Sequence, residues 1–321
     1  MMHHSIDFIS TLHQDVATPA DSLESMLELE RTTYSCHDYL NESFCGNDDN
    51  ADGISTTATI PNRELCDKNI TPTDRMRIVD WCYCAVDQCQ FDRDTVAIAM
   101  NIVDRFMSIT TNPTASQQQS HQRSSSSTEE QEKGDVLQDR THYQLVAATS
   151  LFISIKLNEQ ETFSSIDLAA ASDGAYTVQA IEDMEIEIFG GLSWRLCPPT
   201  SLQVGYRILS LLQMPQFENT NTMLIERGTW EFLRNVLAYQ TESSVRDYYF
   251  TTQRPSTTAI AGIINAIEQV KNHRDYTCLT TALLRVLKEF AFDASSVLLV
   301  ARCRLYRLVD EHDKDCFTHD I

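Results

Sequence analysis

The chain has 321 residues, of which 46 are acidic and 25 are basic, and its formal net charge is −21. Such a surface repels phosphate backbones and anionic membranes, so the charge argues against nucleic-acid and membrane partners. Apolar residues make up 42% of the chain, while glycine (9) and proline (8) are scarce, a composition that favours helices over hairpins.

Ten cysteines are scattered along the chain without the paired CxxC spacing of a zinc site. Cys82 and Cys84 are two apart on a predicted helix, so they point to nearly opposite faces and cannot share a metal. The first ten residues are polar and acidic, unlike a secretory leader. We therefore expect reduced, mostly buried cysteines, no metal and no cofactor, in a protein of the nucleus, the cytoplasm or both.

Residues 1–68 are predicted to form an acidic N-terminal tail. They include 13 acidic and 3 basic side chains, a net charge of −10. The composition of residues 46–61 is typical of disorder. Two groups of apolar residues interrupt the tail, one spaced for a short amphipathic helix and one expected to dock on the folded body: Leu23, Met26 and Leu27, and Tyr39, Leu40 and Phe44.

Two helices are predicted next. The first begins with Thr71-Pro-Thr-Asp74, where a capping threonine, a proline at the first helical position and an acid in the first turn form a strong start signal. It extends to Cys89. The second is capped by Asp92 and runs to Ser108, and its sequence is apolar nearly all round, which predicts burial on several sides.

Residues 110–141 contain runs of glutamine, serine and acidic residues, the composition of a mobile low-complexity loop. The apolar run Leu145–Ile155 follows. It is too long for a typical strand and lacks strand alternation, so it predicts a central buried helix. It is also too short to cross a bilayer. A short helix is expected around residues 166–171.

A further helix is predicted over residues 177–189, with one apolar stripe for the core. Ile186 and Phe189 lie off this stripe and give the helix extra apolar surface beside Glu185. Such surface is typical of a partner site, although deeper burial within the domain explains it equally well. Gly190 and Gly191 are expected to end the helix.

Pro198-Pro199 marks a predicted domain boundary. Beyond it, helical segments are predicted near residues 201–213, 222–240, 256–271, 277–290 and 294–309, and no segment has a strand pattern. The sequence therefore predicts an all-α protein with two domains of about five helices each. Their expected order is the tail 1–68, a first domain 69–198, a second domain 199–312 and a short tail 313–321.

The order of the helices and several short motifs resemble the cyclin box. In chain order the motifs are Arg75-Met-Arg-Ile-Val-Asp-Trp81, Asn101-Ile-Val-Asp-Arg-Phe106, Tyr143-Gln-Leu-Val146, Ile155-Lys-Leu-Asn-Glu159, Met184-Glu185 and Leu192-Ser-Trp194. Arg254-Pro-Ser256, before an alanine-containing helix, resembles the corresponding part of a second cyclin fold. The chain is similar to the divergent cell-cycle cyclins of unicellular algae, which implies two tandem five-helix cyclin folds.

The resemblance also implies which residues bind a partner. In the family, a lysine and a glutamate contact the backbone around the mobile helix of a kinase, while an arginine and an aspartate pair inside the cyclin. The corresponding structural ion pair here is Arg75 with Asp104. The implied kinase-binding residues are Lys156, Glu185, Leu145, Ile186 and Phe189. Without the family, Lys156 is better explained as a helix-end lysine and Glu185 as a solvated acid.

Many cyclins also carry an apolar patch that binds Arg-x-Leu peptides. Its tryptophan, its glutamine and one aliphatic residue match Trp81, Gln144 and Ile78, but Asp74 and Arg77 occupy two positions that are apolar in the family. Losing two apolar contacts forfeits about 3–6 kcal/mol of transfer free energy. We therefore expect a degenerate patch that does not bind Arg-x-Leu peptides, and substrate choice through the kinase or another surface.

The resemblance implies a non-enzymatic regulatory subunit that forms a heterodimer with a cyclin-dependent serine/threonine kinase, activates it and controls cell-cycle progression. A transcriptional or nutrient-signalling cyclin with another kinase is the alternative. An enzyme is disfavoured because GxGxxG, P-loop, GxSxG and HExxH motifs are absent, and a DNA-binding relative because such a domain needs a basic face. Leu157, Asn158 and Glu159 replace the family's usual aromatic and two acids, which leaves the choice of kinase open.

Overall fold

A computed structural model describes residues 18–40, 70–111, 139–161, 164–172, 174–214, 225–292 and 296–318. These residues form eleven α-helices and one 3-10 helix and contain no strand, so the predicted all-α class is confirmed. Within the same ranges, no helix combines the length and apolarity needed to cross a membrane. The predicted disorder of residues 46–61, the docking of Phe44 and most of the loop 110–141 lie outside the described residues.

The helices, in chain order, are α1 (Pro19–Thr32), α2 (Pro72–Cys89), α3 (Asp94–Thr111), α4 (Arg140–Asn158), α5 (Ser165–Ala171), α6 (Val178–Gly191), α7 (Ser201–Leu212), α8 (Arg227–Arg246), α9 (Pro255–Glu268), α10 (His273–Glu289) and α11 (Ser296–Thr318), and the 3-10 helix Tyr248–Thr252 lies between α8 and α9.

The chain divides into two compact units. The first unit comprises Thr33–Thr200 and Glu242–Arg254, and the second comprises Met1–Thr32, Ser201–Thr241 and Pro255–Ile321. The predicted boundary at Pro198-Pro199 thus lies close to the division at Thr200. Of residues 1–68, the described ones are 18–40, and the division between the units falls among them, after Thr32.

The helix starts follow the capping chemistry of the sequence. Thr71 accepts a hydrogen bond from the Asp74 amide, and the Asp74 carboxylate accepts one from the Thr71 amide, which is a complete capping box at the start of α2. α3 begins two residues later than predicted, because Asp92 precedes the helix and its carboxylate accepts from the Asp94 amide at 2.9 Å.

α4 is longer than its apolar run predicts. Asp139 accepts from the amides of Thr141 and His142 at 2.9 Å, so the helix begins at Arg140, with a polar first turn that periodicity does not reveal. Its central turns are buried on all sides, as predicted. α4 packs against α3 and α6, and together with α2 these helices enclose the core of the first unit.

The end of α6 differs from the prediction. Gly190 and Gly191 do not terminate it but form its last turn, and the chain turns beyond Leu192 through positive φ angles at Ser193 (50°) and Trp194 (63°). A Cβ at position 191 would lie only 3.1 Å from the ring of Phe106. Close packing on α3, not helix termination, therefore explains the second glycine.

The second unit contains α1 in addition to its later helices. Leu23 and Leu27 of α1 are buried in the same core as residues of α7, α9 and α10. The buried carboxylate of Glu30 accepts hydrogen bonds from the amide and the hydroxyl of Ser256, at 2.9 and 2.6 Å, at the start of α9. The amphipathic helix predicted in the tail thus forms and is part of a folded core.

The expectation of mostly buried cysteines is wrong for the described part of the chain. Cys82 is buried, Cys36 and Cys278 are partly buried, and the others are exposed: Cys84, Cys89, Cys197 and Cys303. All seven are free thiols. The buried stripe of α2 passes through Val79, Cys82, Tyr83 and Val86, which leaves positions 84 and 89 on its outer face.

Candidate functional site

Arg75 and Asp104 form a buried bidentate ion pair that joins α2 to α3. The Arg75 Nε and Nη2 donate to the two Asp104 carboxylate oxygens at 2.8 and 2.7 Å, and the side chains are only 3% and 5% exposed. A third donor, Nη1, reaches the carbonyl of Val245 at 2.7 Å. Burial lowers the pKa of Arg75, but the adjacent Asp104 carboxylate raises it more, so the guanidinium stays charged.

Tyr39 brings the segment before α2 into the same buried cluster. Its hydroxyl donates to the Asp104 carboxylate at 2.8 Å, and its amide donates to the Tyr248 hydroxyl at 3.0 Å. The Tyr248 hydroxyl in turn donates to Asp38 at 2.8 Å. The Asp104 carboxylate and the hydroxyls of Tyr39 and Tyr248 are all hydrogen-bonded within this buried cluster, so the cluster supports the fold.

Lys156 and Glu185 form a second, accessible ion pair. Lys156 lies in the last turn of α4, and its Nζ donates to Glu185 of α6 at 2.5 Å. The ammonium also lies 4.7 Å from the ring centre of Phe152. The Lys156 side chain is 40% exposed and that of Glu185 is 15% exposed. The two residues that the resemblance selects are therefore adjacent in space, and both reach solvent.

Exposed apolar side chains adjoin this pair in the chain and at the turn after α6. Ile186 is 70% exposed, Trp194 is 75% exposed, and Leu157 is exposed as well. Together with Lys156 and Glu185 they define what we call the α4–α6 surface. Isolated exposed apolar residues are ordinary, but three beside one half-buried ion pair are typical of a protein-binding surface.

Phe189 and Leu145 occupy different environments from Ile186. Phe189 is partly buried and packs on the core, and its other face stacks on Trp194 with ring centres 4.7 Å apart. Leu145 is also partly buried and packs against the core clusters. It lies eleven residues before Lys156 on α4, about 16 Å along the helix axis. The structure thus brings Phe189 to the α4–α6 surface but not Leu145.

Trp194 was not among the site residues predicted from the sequence, where it served only as a family marker. Its exposure results from the turn after α6, in which its amide donates to the Phe189 carbonyl at 3.0 Å. This hydrogen bond and the positive φ place the indole on Phe189. A non-glycine residue in the left-handed region has no clear sequence signal, so the geometry was needed to find it.

The five residues of the predicted docking patch lie together in the first unit. Asp74, Arg77, Ile78, Trp81 and Gln144 line one pocket of about 590 Å³. Helices α2, α4 and α5 and the turn before α6 form its walls. Within the described ranges, no three or more His, Cys, Asp or Glu side chains lie close enough to hold a metal ion.

Comparison with known proteins gives consistent results. Residues 54–197 match the family model for the cyclin N-terminal domain. A putative cyclin-A3-1 of Arabidopsis thaliana is 25% identical over 262 residues, which are 82% of this chain and 60% of that protein. A G1/S-specific cyclin-E of Caenorhabditis briggsae is 29% identical over 181 residues, which are 54% of this chain and 30% of that protein.

A human G1/S-specific cyclin-D1 is 22% identical over 226 residues, which are 69% of this chain and 64% of that protein. Among solved structures, a viral cyclin from herpesvirus saimiri is similar at 13% identity and a TM-score of 0.49, over 75% of this chain and 87% of that one. The chain thus spans from 30% to 64% of the lengths of these three curated relatives.

The part of the chain that matches this domain, residues 54–197, lies in the first unit, and its described residues include helices α2 to α6. The protein therefore contains a cyclin box over residues 54–197, and the resemblance predicted from its motifs is confirmed.

Proposed function

We propose that this protein is a regulatory subunit that binds and activates a cyclin-dependent serine/threonine protein kinase through the α4–α6 surface. The observation that supports this most is the accessible Lys156–Glu185 pair, whose chain neighbours Leu157 and Ile186 are exposed apolar residues. Exposed apolar side chains such as Ile186 and Trp194 contribute nothing to the core of an isolated chain, whereas a protein interface buries them.

The proposed mechanism involves no chemistry on the cyclin-box protein itself. Activation of a protein kinase requires an ion pair between a strand lysine and a glutamate on a mobile helix. A rigid apolar face, held in place by the α3–α4–α6 core, stabilises that helix in its inward position. The gain in kinase activity then equals the preference of the surface for the active over the inactive kinase conformation.

Lys156 and Glu185 are suited to bind backbone groups of the kinase. The ammonium has three donors, one of which is used by Glu185, and the carboxylate has acceptor capacity beyond its bond to Lys156. Backbone carbonyls and amides at the ends of the kinase helix are unpaired groups that need such partners. The pair therefore orients the partner, while the apolar residues supply most of the affinity.

We further propose a role in cell-cycle progression, in the compartment where the kinase resides. Two of the relatives compared above are named as G1/S-specific cyclins. No feature of the described residues favours a transcriptional or nutrient-signalling role. The test is to follow the abundance of the protein through a synchronised division cycle. We expect the abundance to rise and fall with the cycle, and a constant level through division would contradict the proposal.

The kinase-binding surface is tested by the double variant Lys156→Ala with Glu185→Ala. We expect it to lose kinase binding in a pull-down while its circular dichroism spectrum stays that of the parent, since neither side chain is buried in the core. Affinity purification of the parent, followed by mass spectrometry, identifies the kinase to be used.

The matched control is Arg227→Ala with Glu231→Ala. This pair is also exposed and also joins a cation to a glutamate, at 3.0 Å, but it lies on α8 in the second unit. The control removes the same charges and should bind kinase like the parent. If the Lys156 and Glu185 variant retains kinase binding, the site is elsewhere and the proposed surface is wrong.

A further inference from the structure

The 590 Å³ pocket in the first unit combines an apolar floor with a charged rim. Ala148 and Leu168 are buried at its base, and Trp81 remains 45% exposed beside them. The size of the pocket is in the range of sites that bind small ligands or single peptide side chains. The substitutions at positions 74 and 77 have thus not filled the pocket but have changed its charge.

The carboxylate of Asp74 is already engaged by its own chain. It accepts from the amide and hydroxyl of Thr71 at 3.0 and 2.8 Å and from Arg140 at 3.4 Å, and Arg77 lies 3.8 Å away. Burial raises the pKa of Asp74, but the Thr71 hydrogen bonds and Arg140 outweigh this effect and leave the pKa lowered. An incoming cation would have to displace these partners, so Asp74 is a poor receptor for arginine.

The two arginines at the rim, in contrast to Asp74, have hydrogen-bond donors that can bind a ligand. Arg77 on α2 is 75% exposed and Arg140 on α4 is 52% exposed, and both guanidinium groups flank the same carboxylate. Each contacts Asp74 through a single nitrogen, and a guanidinium has five N–H donors. Most of these donors are therefore available to a ligand, and arginine binds carboxylates in bidentate geometry.

The rim of the pocket has a positive net charge, whereas the whole chain has a negative one. Two arginines and one aspartate are the charged residues that line the pocket, a net charge of +1, whereas the whole chain has a net charge of −21. Gln144 is exposed at the same pocket, and its amide can both donate to and accept from a peptide group. An apolar floor, an amide and two available arginines are complementary to a short peptide that combines an aliphatic and an acidic residue.

We propose that this pocket binds linear segments of partner proteins in which an acidic residue lies one or two positions from a bulky aliphatic residue. The aliphatic side chain packs on Trp81 and Ile78, and the carboxylate bridges Arg77 and Arg140. The specificity is the inverse of the Arg-x-Leu preference of related patches. This inference rests on the pocket alone and not on the proposed kinase-binding surface, and it is tested on the isolated chain.

The test is fluorescence polarisation with three labelled peptides that are identical except for one residue, with the cores Glu-x-Leu, Gln-x-Leu and Arg-x-Leu. We expect saturable binding in the order Glu, Gln, Arg, and weaker binding of the Glu peptide at higher salt. Changing its leucine to alanine, or Trp81→Ala in the protein, should weaken binding about tenfold or more, as loss of a central aromatic contact does.

A charge-reversal variant tests the role of the rim. Arg77→Glu with Arg140→Glu should reduce affinity for the Glu peptide by at least about tenfold, because charge-assisted hydrogen bonds are lost and repulsion replaces them. Arg227→Glu, an exposed arginine of the second unit, serves as the control and should bind like the parent. Circular dichroism of each variant establishes that it is folded.

Three results overturn the inference. The first is an Arg-x-Leu peptide that binds as tightly as the Glu peptide and depends on Trp81. The second is the absence of saturable binding by any of the three peptides at millimolar concentration. The third is a parent protein that is dimeric by light scattering and becomes monomeric on Trp81→Ala, which assigns the pocket to a second copy of the chain.

Discussion

The Arg75–Asp104 pair allows a quantitative prediction, since its geometry is complete. Arg75→Ala removes two hydrogen bonds to Asp104 and one to the Val245 carbonyl, and it leaves a carboxylate that is 5% exposed without a counter-charge. Removing one partner of a buried ion pair costs about 3–5 kcal/mol. For a unit of this size, about 2–4 °C is lost per kcal/mol, so the melting temperature should fall by roughly 6–20 °C.

Thermal unfolding followed by circular dichroism measures this effect, and Arg77→Ala is the matched control. Arg77 lies on the same helix, but it is largely exposed and reaches Asp74 only at 3.8 Å, so its loss should change stability by no more than about 0.5 kcal/mol. Arg75→Met with Asp104→Asn should recover part of the loss, because no unpaired charge is left buried. A difference of about 2 °C in melting temperature corresponds to roughly 0.5 kcal/mol. If Arg75→Ala melts within about 2 °C of the Arg77→Ala control, the buried pair does not stabilise the fold and the prediction is wrong.

Three further predictions follow from other parts of the chain. Residues 112–138 lie outside the described residues, and their composition cannot support a core. A variant in which a short Gly/Ser linker replaces them should keep the circular dichroism spectrum and the kinase binding of the parent, and unfolding of this variant would contradict the prediction. Glu30→Ala should lower the free energy of unfolding of the second unit by about 1–3 kcal/mol, because it leaves the Ser256 amide and hydroxyl unpaired. Urea unfolding measures this loss, and an unchanged urea midpoint would show that the contact is dispensable. In the kinase pull-down, Lys156→Ala alone should already weaken binding, because it leaves the half-buried Glu185 without its cation; parent-like binding of this single variant would exclude Lys156 from the interface.

Local chemistry made the helices and most of their starts predictable. The capping box at Thr71 predicts a helix start, and the uniformly apolar run in α4 predicts a buried helix. The structure contains both. The beginning of α4 was missed, because its first turn is polar and its cap, Asp139, follows a low-complexity stretch. Periodicity reports a buried face, so it cannot locate a helix end that lies in solvent.

The sequence does not predict which distant residues contact one another in the fold. The sequence predicts α1, but nothing in the residues of α1 indicates that Glu30 accepts hydrogen bonds at the start of α9, more than two hundred positions away. Similarly, Gly190 and Gly191 have the composition of a helix stop, whereas the nearby Phe106 ring is what requires a glycine at position 191. The residue types were informative in both cases, but the partner that gives them their role is visible only in the fold.

Two ion pairs of the first unit, Arg75–Asp104 and Lys156–Glu185, show why burial, and not residue type, separates a structural pair from a binding pair. Arg75 and Asp104 are enclosed and hydrogen-bonded to each other and to Val245, so burial keeps a partner from them and their removal acts on stability. Lys156 and Glu185 retain exposed surface beside Ile186. A partner that covers them must compensate the desolvation of two charges with hydrogen bonds of its own. The α4–α6 surface therefore discriminates among partners by the placement of polar groups, while its apolar residues favour any apolar surface alike.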